Sequence, residues 1–368
     1  MIKIIFPLIM SIIFALIHLL GYKRVVKKLH ISKSMKKFFL FLLIFNYISI
    51  LGYLLSRYFL DVPDSLYFLF SLSIGIGFTI LISILLYEIM NIFHKIPFEQ
   101  SKREFLKKGG DVGFLSLGAL YIGTGVAEGA KMPIINNVPV LQNRFSEPYR
   151  IVQISDMHIG GLIDKEFVKK SVEMINEQKA DIVVITGDLI DAPIERVSKA
   201  VDELKNISSR YGTYYVAGNH EYFHGIEKTL KHLQTLGIHI LDNSSVHIGD
   251  FYLCGVNDIF GNRYGAYEPD IDKAMKDVPK NRPTLLLAHQ PRFLYELKGF
   301  EPSLILSGHT HGGQIWPFGF LVSIVQPYLK GLHSLNNNRH IYVNSGIGFW
   351  GPKMRLGSRS EITVIEWS

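Results

Sequence analysis

The chain has 368 residues, enough for one large domain and a second element, and a formal net charge of +7. That charge is uneven: residues 1–131 hold 15 Lys+Arg against 7 Asp+Glu, and residues 132–368 hold 24 against 25, so the excess of +8 belongs to the first third. A nucleic-acid binder carries its basic excess on the folded domain, so this distribution speaks against a nucleic-acid partner. The single cysteine, Cys254, excludes an internal disulfide framework and a cysteine-based zinc site, and its apolar run (residues 251–256) marks it as a packing residue.

In chain order, three apolar segments come first, near residues 2–20, 38–59 and 66–93. Each reaches the roughly 20 residues of helix that cross a hydrocarbon core. Glu88 lies close to the end of the third segment and reads as a carboxylate at the interface. A fourth, Gly-rich segment near residues 112–128 completes a predicted transmembrane region of about four helices over residues 1–130. The first loop carries Lys23, Arg24, Lys27, Lys28, Lys33, Lys36 and Lys37, and the third carries Lys95, Lys102, Arg103, Lys107 and Lys108. The loop between them, around Asp61 and Asp64, has no Lys or Arg. The positive-inside rule puts the two basic loops in the cytoplasm. If the fourth segment spans, the remainder of the chain lies outside the cytoplasm. The expectation is therefore a multi-pass protein of the cytoplasmic membrane with an extracytoplasmic C-terminal domain. Ser101-Lys102-Arg103-Glu104-Phe105-Leu106-Lys107 resembles a twin-arginine export signal, with Lys102 in place of the first arginine. Ala127-Glu128-Gly129 matches a small-residue cleavage site, so release of the domain is an open alternative.

Residues 131–148 carry three prolines and read as an extended linker, leaving 149–368 as the catalytic domain. There, short Val/Ile/Leu runs alternate with amphipathic stretches at residues 165–178, 195–206 and 226–236. The later part, from residue 238 onward, is richer in strand signals. Two sheets packed face to face with helices outside fit this order better than one doubly wound sheet.

Five clusters follow the apolar runs: Asp156-Met157-His158, Gly187-Asp188-Leu189-Ile190-Asp191, Gly218-Asn219-His220-Glu221, the lone His289, and Gly308-His309-Thr310-His311. Ligands in α/β sheets gather beyond the strand ends, so five strands are expected to deliver Asp, Asn and His to one place. A carboxylate can bridge two cations, and imidazole and amide oxygen suit first-row divalent metals. Two incomplete coordination shells with a shared carboxylate suit an in-line displacement at phosphorus. Alone, His289 would read as a packing residue and Asp191 as a helix N-cap before Ala192-Pro193. With the other clusters present, His289 reads as a ligand. The remaining histidines carry no motif, although His224, just past Glu221, lies near the expected site.

In order and spacing the clusters resemble the calcineurin-like metallophosphoesterase family, with its D-x-H, G-D-x-x-D, G-N-H-[DE], H and G-H-x-H pattern, over roughly residues 149–368. Asn344-Ser345-Gly346-Ile347-Gly348 and Arg355-Leu356-Gly357 look like the membrane-associated bacterial subgroup. The resemblance implies an α/β fold, a four-layer αββα sandwich of two mixed sheets, and two divalent metal ions (Mn²⁺, Fe or Zn²⁺). It implies that Asp156, His158 and His311 hold the first metal, Asn219, His289 and His309 the second, and that Asp188 bridges them. His220 would be the acid or hydrogen-bond donor at the leaving oxygen and Asp191 would orient a ligand. Gly187, Gly218 and Gly308 would let the backbone turn sharply into the site.

Residues 315–329, with Trp316, Phe318, Phe320, Leu321, Ile324 and Val325, carry no charge. Core burial is the default for such a stretch, with an apolar wall beside the metals or contact with the bilayer as alternatives. Tyr222, Phe223, Arg263 and Tyr264 are candidates to line the same opening, Arg263 as a phosphate contact. The expected activity is hydrolysis of a phosphodiester or pyrophosphate, with a lipid-linked or cell-envelope substrate as its sharper form. The competing readings are an inactive metal-binding scaffold in a membrane complex and a transporter with an accessory metal domain.

Overall fold

The computed structural model describes residues 2–60, 62–93, 100–141, 145, 147–336 and 338–368. Asp61, Lys95 and part of the expected 131–148 linker lie outside these, as do the side chains of Lys102 and Arg103. The chain forms two compact units: Met1–Ala130 with Gly351–Met354, and Lys131–Trp350 with Arg355–Ser368.

The first unit is built on α1 (Ile2–Leu20), α2 (Lys33–Tyr58), α3 (Asp64–Phe93) and α4 (Gln100–Gly129). Among the described residues, four spans (Ile5–Val26, Lys33–Arg57, Asp64–Ile92 and Lys107–Gly129) are long and apolar enough to cross a membrane. Ser32 caps α2 by accepting the Met35 N–H at 3.2 Å. Polar side chains inside the unit satisfy one another: Asn46 donates to His18 Nε2 at 3.0 Å and to the Ser73 carbonyl at 3.2 Å. Glu88 takes Lys28 at 2.8 Å, with Arg24 at 3.7 Å, so it pairs with the basic first loop as an interfacial carboxylate would. The fourth segment, the weakest in sequence, is helical throughout Gln100–Gly129. Its glycines cost helix propensity (about 1 kcal/mol each relative to Ala) without breaking it.

The second unit opens on β1 (Ile134–Val140), inside the stretch expected to be a linker. Its prolines did not prevent pairing because β1 is an edge strand, where a missing N–H need not cost a ladder bond. The elements that follow are β2 (Tyr149–Ile154), α5 (Lys165–Glu177), β3 (Ile182–Thr186), α6 (Ile194–Val201), β4 (Thr213–Val216), α7 (Asn219–His224) and α8 (Ile226–Thr235). Next come β5 (His239–Ile240), β6 (Ser244–Ile248), β7 (Phe251–Gly255), α9 (Gly261–Tyr264), α10 (Ile271–Met275), β8 (Thr284–Leu287) and β9 (Leu304–Ser307). The chain closes with α11 (Gly319–Val325), β10 (Gly331–Ser334), β11 (His340–Val343) and β12 (Glu361–Trp367). Two six-stranded sheets result, ordered β1-β12-β2-β3-β4-β5 and β10-β11-β9-β8-β7-β6. Both are mixed: β12 runs antiparallel to β2, β10 to β11 and β6 to β7, while the central strands are parallel.

Side-chain alternation along the strands builds the layers. On β2, β3 and β12, the set Val152, Ile154, Val183, Ile185, Ile362 and Val364 faces Val168, Val172 and Ile175 of α5, Val197 of α6 and Leu230 of α8. The opposite set, with Ile151, Ile182, Val184, Val216, Ile365 and Trp367, meets Leu285, Leu287, Leu304 and Leu306 of the second sheet. The outer face of that sheet, Leu286, Ile305 and Ile341, packs on Ile271 and Ala274 of α10 and on Phe293. Helix, sheet, sheet, helix is thus the αββα sandwich expected from the sequence. Gln153 ties the sheets together at the site end, donating to Thr186 Oγ1 and to the Ser307 carbonyl, each at 2.9 Å.

Residues 315–329 depart from the expectation of burial. No residue of α11 is buried, and Trp316, Phe320, Leu321, Ile324 and Val325 are exposed. A run seven residues long that docks only through its ends has no sheet face to cover.

Candidate metal centre

The parallel strands β2, β3, β4, β8 and β9 all present their carboxyl ends to the same region, and each candidate ligand lies within a few residues of such an end. Asp156, His158 and His311 bring ligand atoms within 4.8 Å of one another, and so do Asp188, His289 and His309. His158 Nε2 and His311 Nε2 face each other at 3.1 Å, with Asp156 Oδ1 3.6 Å from the latter and Asp188 Oδ2 3.9 Å from the former. On the other side His289 Nε2 is 3.2 Å from Asp188 Oδ2, 3.2 Å from Asn219 Oδ1 and 3.3 Å from His309 Nδ1. Asp188 Oδ2 therefore belongs to both groups. The structure thus brings together the seven side chains singled out in the sequence, Asn219 through its 3.2 Å approach to His289.

The donor set fits cations. The His158 and His311 ring nitrogens face each other at 3.1 Å and that of His289 lies 3.2 Å from Asp188 Oδ2, approaches that lone pairs tolerate only with a proton or a metal between them. Burial, with His158 and Arg355 adding to it, holds the His311 imidazole well below its usual pKa, and burial and the His289 charge pull His309 down to about 3. Neutral imidazole is the ligand form. His289 behaves oppositely: burial pulls it down, but the Asp188 and Asp156 carboxylates hold it well above the ordinary value. Burial pushes the Asp156 carboxyl up to about 6 and Glu221 up to about 7, with Asp188 repelling both. Buried negative charge crowded in this way is what divalent ions relieve.

Backbone geometry points the same way. Asp156, His158, Asp188, His309 and His311 all have φ between 49° and 70°. Non-glycine residues held there cost about 1–3 kcal/mol each and concentrate at functional sites. The three motif glycines serve two different needs. Gly187 has φ +88°, the turn expected of it. Gly218 and Gly308 are needed for close approach: a Cβ on Gly218 would strike the Asp188 carboxylate, and one on Gly308 would strike Ser155 and Asp156.

His220 donates its backbone N–H to Asp188 Oδ1 at 2.8 Å, while its ring Nδ1 meets Asp191 Oδ1 at 2.8 Å. The ring nitrogen Nε2 is then directed to the cluster, 4.0 Å from Asp188 Oδ2. His158, Asp191 and His220 also bring ligand atoms within 4.8 Å. Within this trio Asp191 Oδ1 is already engaged by the His220 ring, and His158 belongs to the first group as well. Asp191 is not a bare helix cap: Pro193 stands at the N-cap of α6, and His224 Nε2 lies 3.4 Å from Asp191 Oδ1.

Sequence reasoning assigned no task to Glu221, Thr186 or Arg355. Glu221 Oε2 accepts from the Gly218 and Asp188 N–H groups at 2.7 and 3.1 Å, and Oε1 from those of Leu189 and Ile190 at 2.8 and 3.2 Å. One buried carboxylate thus clamps the loop of Asp188 to that of Asn219. Its acidic identity within Gly218-Asn219-His220-Glu221 was the available signal. The Thr186 carbonyl lies 2.7 Å from His289 Nδ1, which fixes the tautomer that frees Nε2 for a cation. Buried Arg355 donates to the Gly346 and Gly348 carbonyls at 3.1 and 2.7 Å and braces the loop beside His311. Of the expected lining residues, Phe223 lies beside His220 with ring centroids 5.5 Å apart, Tyr222 is buried with its hydroxyl on the Tyr267 carbonyl, and Arg263 and Tyr264 are exposed on α9. Of the histidines without a motif, His224 reaches the site through Asp191, while His232 pairs with Asp202 and His239 stacks on Tyr214.

Comparison with known proteins gives relatives along most of the chain. The calcineurin-like phosphoesterase family matches residues 149–313. An uncharacterized metallophosphoesterase of Helicobacter pylori strain 26695 is 42% identical over 306 residues, which is 83% of either chain. One of Campylobacter jejuni is 32% identical over 370 residues, 99% of this chain and 98% of that one. A transmembrane protein with metallophosphoesterase domain of Danio rerio is 33% identical over 256 residues, 66% of this chain and 59% of that one.

Replacing Glu221 by Gln turns an acceptor of four N–H groups into one with a donor facing them. We expect Glu221→Gln to weaken metal retention by roughly 10–100-fold, read by elemental analysis after dialysis against a graded chelator. Retention equal to the parent's would remove the clamp from the account.

Proposed function

From the premise that this chain belongs to the calcineurin-like phosphoesterase family, we propose that it is a membrane-anchored, binuclear-metal phosphoesterase that hydrolyses a phosphodiester or pyrophosphate bond. The observation that carries this reading is the position of Asp188 Oδ2 between two ligand groups. Asp156, His158 and His311 would hold one cation, and Asn219, His289 and His309 the other, with Asp188 common to both. Bound divalent ions would supply Lewis acidity to phosphoryl oxygens and acidify the attacking water. The choice among Mn²⁺, Fe and Zn²⁺ falls to availability, because mixed oxygen and imidazole ligands accept all three.

The protein's own contribution is placement. His220, with Nδ1 spoken for by Asp191, keeps Nε2 for the leaving-group oxygen and hands it a proton or hydrogen bond. Asp191 holds the ring's tautomer and angle, with His224 at its side. Glu221 keeps the loops of Asp188 and Asn219 in register, so both sets of ligands arrive together. The four apolar helices, and the even number of crossings they give, support an extracytoplasmic site in the cytoplasmic membrane. A lipid-linked or envelope substrate suits that location.

Hydrolysis of bis-p-nitrophenyl phosphate by the full chain tests the reading. With added Mn²⁺, Asp188→Ala is expected to lower kcat/KM by about 10³-fold or more and Asn219→Ala by less, since Asp188→Ala alone strips both shells. His220→Gln is expected to cost about 10²–10⁴-fold and Asp191→Asn about 10–100-fold. Full metal content with no diester or pyrophosphate cleaved would favour the inactive scaffold instead. For orientation, alkaline phosphatase fused after Ser368 is expected to be active, and activity only from a cytoplasmic reporter would reverse the topology.

A further inference from the structure

We propose that α11 and the turn before it form a monotopic lipid contact: Trp316, Phe320, Leu321, Ile324 and Val325 seat in the surface of the bilayer that carries α1–α4. Their exposure is large, reaching 69% at Phe320 and 78% at Ile324. Residues 315–329 contain no charge at all. Clustered exposed apolar side chains of this size mark an interaction surface rather than ordinary solvent exposure.

The segment is held firmly at its base while its apolar side stays uncovered. Trp316 N–H donates to the Leu356 carbonyl at 2.7 Å, Thr310 Oγ1 to the Leu329 carbonyl at 2.6 Å, and buried Gln326 bonds Gln290 at 3.2 Å while accepting from the Arg292 N–H at 3.0 Å. A loop awaiting a protein core has no need of such anchors; a fixed prow for an external apolar phase does.

Two features select lipid over a second protein. One is chain continuity. Only four residues separate the end of α4 at Gly129 from the start of β1 at Ile134, so the unit that carries α11 is tethered at a membrane. The base of the same segment also holds Trp350: Gln314 exchanges two hydrogen bonds with its backbone, at 2.9 and 3.1 Å. The second feature is composition: exposed Trp316 and Trp350 beside aliphatic side chains are the residue types of the lipid–water interface. Since α11 follows the His309 and His311 loop within eight residues, the contact would hold the metal centre's edge near headgroups. That last consequence rests on the phosphoesterase reading; the contact itself does not.

Spin labelling of the full chain tests it. Cys254 is the only cysteine and is buried, so Ile324→Cys provides a single labelling position, and Lys205→Cys provides an exposed reference. In phosphatidylethanolamine/phosphatidylglycerol proteoliposomes, the label at 324 is expected to collide more with oxygen than with a water-soluble nickel chelate, and the label at 205 the reverse. Nickel-dominated collisions at 324 would overturn the proposal, as would spin–spin broadening there that disappears on dilution with unlabelled chain, which would mean a second copy. Neither readout depends on catalysis, so failure of the phosphoesterase reading would show separately, as an unbroken diester. Unchanged elution and thermal midpoint confirm that the labelled chains are folded.

Discussion

A buried carboxylate with imidazoles on several sides sets the terms for this site. Asp188 Oδ2 has His289 at 3.2 Å, His158 at 3.9 Å and His220 at 4.0 Å, while Oδ1 takes the His220 backbone N–H. Those side chains come from three strand ends in two sheets. The sandwich must therefore hold its layers at a fixed spacing, which the inter-sheet core around Ile151, Val184, Leu287 and Leu306 does by burial. Five of the candidate ligands have φ in the left-handed region, which represents free energy spent on geometry. A metal is the natural compensation, because it binds only the arranged state and stabilises it by mass action.

The site was more legible in the sequence than its supports were. Ligands at strand ends announce themselves as polar clusters after apolar runs, and Asp156, His158, Asp188, Asn219, His289, His309 and His311 converge as that pattern requires. Glu221 was harder to read because its partners are backbone N–H groups, which leave no trace in side-chain spacing. The same holds for the Thr186 carbonyl behind His289. The motif glycines show how one residue type conceals two causes: Gly187 has a positive φ, whereas Gly218 and Gly308 do not and are excluded from bearing a Cβ by a carboxylate close by.

At fold level, the two mixed sheets followed from the order of strand and helix signals, whereas edges did not. Residues 131–148 looked like linker because prolines dominate the local pattern, yet β1 finds β12 more than 200 positions away. Pairing at that separation is invisible to any window. The misread stretch at 315–329 failed for the opposite reason. Hydropathy reports preference for an apolar phase, and it does not say whether that phase is the protein core or a bilayer.

The central claim is that Asp188 joins two cations. Anomalous diffraction from metal-replete crystals tests it most directly. The account predicts two peaks about 3.5–4 Å apart, one beside Asp156, His158 and His311, the other beside Asn219, His289 and His309, with Asp188 between them. A single peak under saturating metal, or a second peak away from Asn219 and His309, would contradict it.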